Sequence, residues 1–202
     1  MIALDAAEAH FDARHEGKGD PWGLERRWYE IRKRRILLAS LPEERLGRVL
    51  EIGCSVGIST LDLAERSDSI LAVDVSGEAV RTARERLAAV SHARVERWDV
   101  TDGLPEGEFD LVVLSEVGYY LSLESLGVLL ERARGILSAT GTIAACHWRP
   151  VEGDFLQSGD DVHRAVTELD GFTTLVHHVE ADFVLDVVGR DQRSVAERTE
   201  LR

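Results

Sequence analysis

Short apolar, β-branched runs alternate with longer stretches of helical period through the middle of the chain. Val49-Leu50-Glu51-Ile52 stops at Gly53, and segments 69–74, 93–98, 109–114 and 142–148 repeat the pattern. Strands that are apolar almost throughout belong to a parallel sheet covered on both faces. Between them, 57–66, 77–90 and 123–137 read as helices. Ser76 and Ser122 stand at two of their starts, where a side-chain oxygen can take a free backbone N–H. Ser138-Ala139-Thr140-Gly141 reads as the stop of the last of these helices.

Before the first strand, residues 1–16 predict a short helix with Leu4, Ala7 and Phe11 on one face. Gly17-Lys18-Gly19-Asp20-Pro21 breaks it, and a second helix is expected over about 22–40. After the fifth strand come a loop over 149–157, a helix over 159–169, and two closely spaced strands near 171–179 and 182–189. The polar tail, 190–202, is expected to fray. The fold class is α/β: a doubly wound, mostly parallel seven-stranded sheet with an antiparallel C-terminal hairpin and N-terminal helices.

Composition narrows the function. With 202 residues, 44% hydrophobic and 30% charged, the chain suits one ordinary globular core. A net charge of -13 repels phosphate backbones, so nucleic acid is not an expected partner. Two cysteines, Cys54 and Cys146, make no disulfide framework, and the seven histidines show no metal-ligand spacing. Met1-Ile2-Ala3-Leu4-Asp5 has neither the basic nor the apolar region of a signal peptide, and no apolar run approaches the roughly 18 residues of a membrane helix. The expectation is a cytoplasmic protein with no membrane partner.

In an open parallel sheet, ligands bind outside the carboxyl ends of the strands. Strand one ends in Glu51-Ile52-Gly53-Cys54-Ser55-Val56-Gly57, strand two in Asp74, strand three in Trp98-Asp99-Val100, strand four in Ser115-Glu116 followed by Tyr119-Tyr120, and strand five in His147-Trp148. Singly, each has a bland reading as a turn glycine, a capping acid or a packed aromatic. Together they share one edge of the inferred sheet. A nicotinamide dinucleotide wants G-x-G-x-x-G, because its pyrophosphate sits on the helix N-terminus. Ser55 stands where the second glycine would lie, so that pattern is not met. S-adenosylmethionine carries no phosphate and needs only close backbone passage, an acid for the ribose and an acceptor for the adenine amino group.

The run from Leu50 to Gly57 resembles the first motif of class I S-adenosylmethionine-dependent methyltransferases, an acid-x-glycine-x-glycine-x-glycine loop. It departs at Ser55, which is tolerated if φ there is negative. Asp74 matches that family's ribose-binding acid and Asp99 its acid beside the adenine. Phe109-Asp110-Leu111-Val112-Val113 matches the fourth-strand motif, and Gly135 to Thr142 the turn into strand five. A narrower likeness, to the nodulation protein S (NodS)-like methyltransferases, rests on Asp20-Pro21-Trp22, Trp28-Tyr29-Glu30 with Lys33, Ser115-Glu116-Val117 with Tyr119-Tyr120-Leu121, and His147-Trp148 with Gly159-Asp160-Asp161-Val162-His163. The founding members of that family methylate the free amine of a deacetylated chitooligosaccharide.

The resemblance implies a Rossmann-like methyltransferase domain over 1–190: an N-terminal helical lid (1–41), a cofactor-binding core (47–148) and a substrate side (149–190), with 191–202 a flexible tail. The cofactor would be S-adenosylmethionine. Glu51, Gly53, Cys54, Ser55 and Gly57 would pass its methionine part, Asp74 would hold the ribose, and Val75, Trp98, Asp99 and Val100 would surround the adenine, with Ser115 nearby. Trp22 and Tyr29 would close over it, and Arg32 is chosen among the bases of 26–35 to meet its carboxylate, most of the others forming a solvated face. The acceptor would be a small-molecule amine, with an amino sugar or glycan one candidate. Glu116 would draw in the ammonium and take its proton, with His147 an alternative base and Tyr120 an orienting group. His163 reads as a supporting or surface residue, and His177 and His178 as plain strand residues. An O-methyltransferase and a non-catalytic cofactor binder remain the alternatives. Oligomeric state is open.

Overall fold

The computed structural model describes residues 4–202, with side chains from Ala9 onward. In chain order it contains α1 (Leu4–His15), α2 (Trp28–Ser40), β1 (Arg48–Ile52), α3 (Ile58–Ala64), β2 (Ser69–Asp74), α4 (Gly77–Arg86), β3 (Ala93–Arg97) and β4 (Phe109–Ser115). A 3-10 turn at Gly118–Tyr120 leads to α5 (Leu123–Ile136), β5 (Leu137–Trp148), α6 (Gly159–Thr167), β6 (Thr173–Val179), β7 (Phe183–Gly189) and α7 (Val195–Arg198). The seven strands form one sheet in the order β3-β2-β1-β4-β5-β7-β6. β1 to β5 are parallel, and β7 pairs antiparallel with both β5 and β6. The α/β expectation holds, including the antiparallel close.

The apolar runs explain this order. β7 is buried at every position and β1 at all but its first. Their side chains feed two cores, one on each face of the sheet. Leu50, Ile52, Val112, Leu114, Ile143 and Val188 pack under α5 and α6, while Val49, Leu111, Val113, Ala144, Leu185 and Val187 pack under α2 and α3. Strand order reverses between β1 and β4, where Ile52 lies beside Leu114. That switch point is where a crevice opens at the carboxyl ends.

Four local expectations change. The second helix begins at Trp28 rather than 22, because the Asp20 carboxylate accepts the Leu24 and Glu25 N–H groups and curls 20–27 into turns. The helix expected over 77–90, α4, ends at Arg86 rather than 90. Ser138 to Gly141 are not a stop between helix and strand: α5 runs straight into β5 at Leu137, and the register with β4 slips between Phe109 and Leu111. The tail, expected to fray, carries α7, capped reciprocally by Ser194 and Glu197. There the Arg198 side chain is 3% exposed and donates to Glu43 Oε1 at 2.5 Å. Residues 1–3 and the side chains of Leu4 and Ala7 lie outside the described residues. Of the expected face, Phe11 meets Tyr120 edge-on at 4.9 Å. No helix among the described residues is long and apolar enough to cross a membrane.

Candidate active site

The crevice at the switch point is a cleft of about 1220 Å³. That exceeds the upper range for a single small ligand, leaving room for two. The first turn after β1 forms its floor. Gly53 has φ +78, and a Cβ there would come within 2.1 Å of Val117 Cγ2, so only glycine fits. Ser55 has φ +48, against the expected negative value. This costly conformation is held from two sides. The Ser55 N–H donates to Asp74 Oδ2 at 2.8 Å, and its hydroxyl lies 3.1 Å from His15 Nε2. Gly57 does not line the cleft; a Cβ on it would meet Ala83 on α4 at 3.0 Å, so it serves helix packing.

Asp74 ends β2 half-buried, and its other oxygen accepts the Ser76 N–H at 2.9 Å. Burial raises its carboxyl pKa, opposed by the two backbone hydrogen bonds from Ser76 and Ser55. Each oxygen keeps a lone pair for an outside donor. Val75, Trp98, Asp99 and Val100 continue this wall. Asp99 is braced by the Thr101 N–H and hydroxyl at 2.8 and 2.7 Å, and Trp98 by its own indole N–H on Gly103 O at 2.9 Å. Glu51, Cys54 and Ser115 also face the cleft. Burial pushes the Glu51 carboxyl up to about 8, and Thr60 donates to it at 2.5 Å.

The far end of the cleft is built from α2, the turn after β4 and the end of β5. Glu116 has φ +58, a second left-handed non-glycine residue at the cleft. Its Oε1 receives the Lys33 ammonium at 2.5 Å, and its Oε2 receives the Tyr119 hydroxyl at 2.6 Å and the Trp148 N–H at 3.0 Å. Lys33 also meets Glu30 at 3.0 Å. Burial opposes charge on Lys33, but the Glu116 and Glu30 carboxylates outweigh it and raise its pKa. The cluster of two carboxylates and one ammonium carries a net negative charge. Burial, aided by Glu116, raises the Tyr119 phenol strongly, while Tyr120 rises to about 12, chiefly through burial. Tyr29 packs edge-on to Trp148 at 5.7 Å, at this end rather than over the wall that begins at Asp74, and its buried hydroxyl has no hydrogen-bond partner among the described residues.

Two further expected residues, Arg32 and His147, lie away from the cleft. Arg32 points away from the cleft and makes a two-bond pair with Glu180 at 2.7 Å each, holding that carboxyl down to about 2. His147 is fully buried beneath the turn after β4, where Nε2 accepts the Gly118 N–H at 3.0 Å, so it presents no nitrogen to the cleft. Burial, then His163 and Lys33, hold its pKa well below the usual value. Glu116 is at the cleft but already receives three donors. Trp22 lines the cleft, set edge-on to His15 at 4.8 Å.

Sequence reasoning quoted Lys33 with Trp28-Tyr29-Glu30 but gave it no role at the site, and it did not single out Asp12 and His15 on α1. Lys33 is 7% exposed, unlike the solvated face expected around it. Asp12 accepts the Ser76 hydroxyl at 2.5 Å and the Glu78 N–H at 3.2 Å, docking α1 on the start of α4. Only the position of Lys33 beside Glu30 on the helix signalled its burial. Asp12 and His15 had no signal for these contacts, because Ser76 and Ser55, the residues they hold, are 64 and 40 residues away.

The model of the nodulation protein S (NodS) family matches residues 7–144. Nodulation protein S of Rhizobium tropici is 38% identical over 103 residues, covering 50% of this chain and 43% of that protein. The chain spans about half the length of the curated relatives it matches. Among solved structures, a candidate methyltransferase from Pseudomonas syringae is 43% identical with a TM-score of 0.73, covering 81% of this chain and 100% of its own. The N-methyltransferase NodS from Bradyrhizobium japonicum WM9, in complex with S-adenosyl-L-homocysteine, has a TM-score of 0.82 at 23% identity, covering 91% of this chain and 97% of its own, and bears on the fold.

Proposed function

The chain belongs to the nodulation protein S family, and from that premise we propose that it is an S-adenosylmethionine-dependent methyltransferase acting on the amine of a small molecule. The donor set suits the cofactor. Asp74 keeps one lone pair on each oxygen for the two ribose hydroxyls, and Asp99 with Trp98 and Val100 offers an acceptor and apolar surface for the adenine. Val75 completes that wall. Gly53, Cys54 and Ser55 let the backbone pass close to the methionine part, with Glu51 and Ser115 alongside. Residues 1–41 act as the lid, in one domain reaching to 190. When bound, S-adenosylmethionine supplies a methyl group on an electrophilic sulfonium.

The observation that carries the amine reading is the charge at the far end. Glu30 and Glu116 face a single ammonium, so an arriving cation meets a net negative floor. Glu116 has one acceptor position left on Oε1 and would use it to orient an acceptor N–H. With Lys33, Tyr119 and Trp148 already donating to it, the carboxylate is engaged as a hydrogen-bond acceptor rather than free to take a proton. The acceptor therefore loses its ammonium proton to water, and Glu116 contributes by positioning and by charge. The orphan Tyr29 hydroxyl would take a second polar atom of the acceptor, and Tyr120 would orient it. A deacetylated amino sugar presents an amine with neighbouring hydroxyls and suits this set. The Lys33 ammonium favours a phenol or carboxylate oxygen as the second reading.

Calorimetric titration with S-adenosylmethionine tests the nucleoside wall. Asp74→Ala should weaken binding about tenfold or more, as loss of a charged hydrogen-bond partner does; unchanged affinity removes Asp74 from the site. A methyl-transfer screen over amino sugars, small amines and phenols tests the acceptor. Glu116→Gln should slow amine transfer about tenfold or more while leaving cofactor affinity unchanged. A variant as fast as the parent ends the role given to Glu116, and transfer to phenols alone ends the amine reading.

A further inference from the structure

Beneath the turn that carries Glu116 lies a chain of buried polar groups that the methyl-transfer reading does not use. The Gly118 N–H donates to His147 Nε2 at 3.0 Å. His147 Nδ1 lies 3.0 Å from His163 Nε2. His163 Nδ1 lies 2.5 Å from Asp186 Oδ2, and His177 Nδ1 lies 2.7 Å from Asp186 Oδ1. His147 and Asp186 are fully buried and His163 is 4% exposed, whereas the His177 side chain is 61% exposed. The chain thus crosses from the surface of β6, through β7 and α6, to the cleft turn. Sequence order hides it, since its members come from five elements: β6, β7, α6, β5 and the 3-10 turn.

The bonding pattern admits one arrangement of protons. Gly118 can only donate, so His147 Nε2 is bare and its proton sits on Nδ1. That proton points at His163 Nε2, which must be bare, so the His163 proton sits on Nδ1 and points at the Asp186 carboxylate. The carboxylate can only accept, which closes the series. Reversing either ring would set two N–H groups or two bare nitrogens against each other. The chain cannot carry a proton into the cleft, because it ends on a peptide N–H. It can fix a position. Gly118 lies two residues after Glu116, whose left-handed backbone needs support, and one before Tyr119, which donates to Glu116. The packing there is close: a Cβ on Gly118 would come within 2.5 Å of Val162 Cγ1 on α6.

We propose that Asp186 and His163 are positioning residues for methyl transfer, which set the tautomer of His147 and so hold the Gly118 amide, and with it Glu116 and Tyr119, at the cleft. This rests on the methyl-transfer reading above. The test uses the full chain saturated with S-adenosyl-L-homocysteine, with histidine ring nitrogens observed by 15N NMR and amide exchange followed at Gly118. The parent should show His147 and His163 both protonated on Nδ1. His163→Leu should give His147 a mixture of tautomers and speed Gly118 exchange about tenfold or more, the loss of one buried hydrogen bond. His163→Asn, too short to bridge both neighbours, carries the same expectation should the leucine variant not fold. His163→Gln, which can accept from His147 and donate to Asp186, should restore both readouts. Asp186→Asn should leave the tautomers in place, since its amide oxygen still accepts. With glucosamine as the amine probe, His163→Leu should lower kcat about a hundredfold, as a displacement of about 1 Å does, without changing cofactor affinity.

Unchanged tautomers and Gly118 exchange in His163→Leu and His163→Asn, or unchanged kcat alongside altered tautomers, overturn the proposal. A parent that transfers no methyl to any amine or phenol sinks the methyl-transfer reading instead, and the NMR and exchange results then decide on their own whether the relay holds the turn.

Discussion

At Gly53 a methyl group has nowhere to go. Gly53→Ala adds a left-handed alanine and a clash with Val117, and should cost about 2 kcal/mol or more of stability in thermal or denaturant unfolding. Two residues on, Ser55→Gly should stay within about 1 kcal/mol of the parent, because relief of the positive φ offsets the lost contact with His15. If Ser55→Gly destabilises as much as Gly53→Ala, the strain assigned to Ser55 is wrong. Glu51 gives a pH signature. Its carboxyl rises on folding from 4.5 to about 8, so the folded state prefers the protonated form. Its contribution is whole below the unfolded value and is lost as pH rises through the folded one, at about 1.4 kcal/mol per unit between them. Glu51→Gln keeps an acceptor for Thr60 and removes this slope, so its melting temperature should gain on the parent from pH 5 to pH 8; a constant gap would mean that Glu51 is ionised throughout.

Among the elements, α1 acts as a clip. Asp12 supplies a second cap to a helix that Ser76 already caps, and His15 steadies the loop after β1. Asp12→Ala should cost about 1 kcal/mol, with hydrogen exchange rising over 9–16 and the start of α4 while the sheet stays protected. A uniform rise over the sheet would show α1 to be part of the global unit. The core elements were legible because the strand periods and the Ser76 and Ser122 caps are local signals. The starts of α2 and β5 were not. Asp20 bends the chain ahead of Trp28 through its side chain, and Ser138 to Gly141 form an irregularity within β5, which pairs with Phe109 at Leu137 and takes up β4 and β7 again only at Thr142. At the site, Asp74 and Asp99 were found because strand ends announce themselves. The Lys33–Glu116 pair spans 83 residues, and Arg32 and Lys33 are neighbours in sequence that face different partners.

Across the whole molecule the net charge of -13 proved less free than its arithmetic suggests. The acids Glu116, Asp154, Asp160 and Asp161 are each matched internally, by Lys33, Arg14, Arg149 and Arg164. The local excess lies with Glu30 beside the Lys33–Glu116 pair. The same molecule-wide view falls on the two open edges of the sheet. β3 carries Arg94 and Glu96, an ion pair across an exposed rim, and β6 carries His177 and His178 beside a register slip against β7. An open strand edge is a template for another strand, and charge and irregularity deter it. Replacing Arg94 and Glu96 together by valine should leave the cleft intact but drive concentration-dependent self-association, visible in sedimentation velocity; a variant that sediments like the parent would show that the rim is guarded by something else. Solubility, on this view, is written along the borders of the sheet, far from the chemistry at its centre.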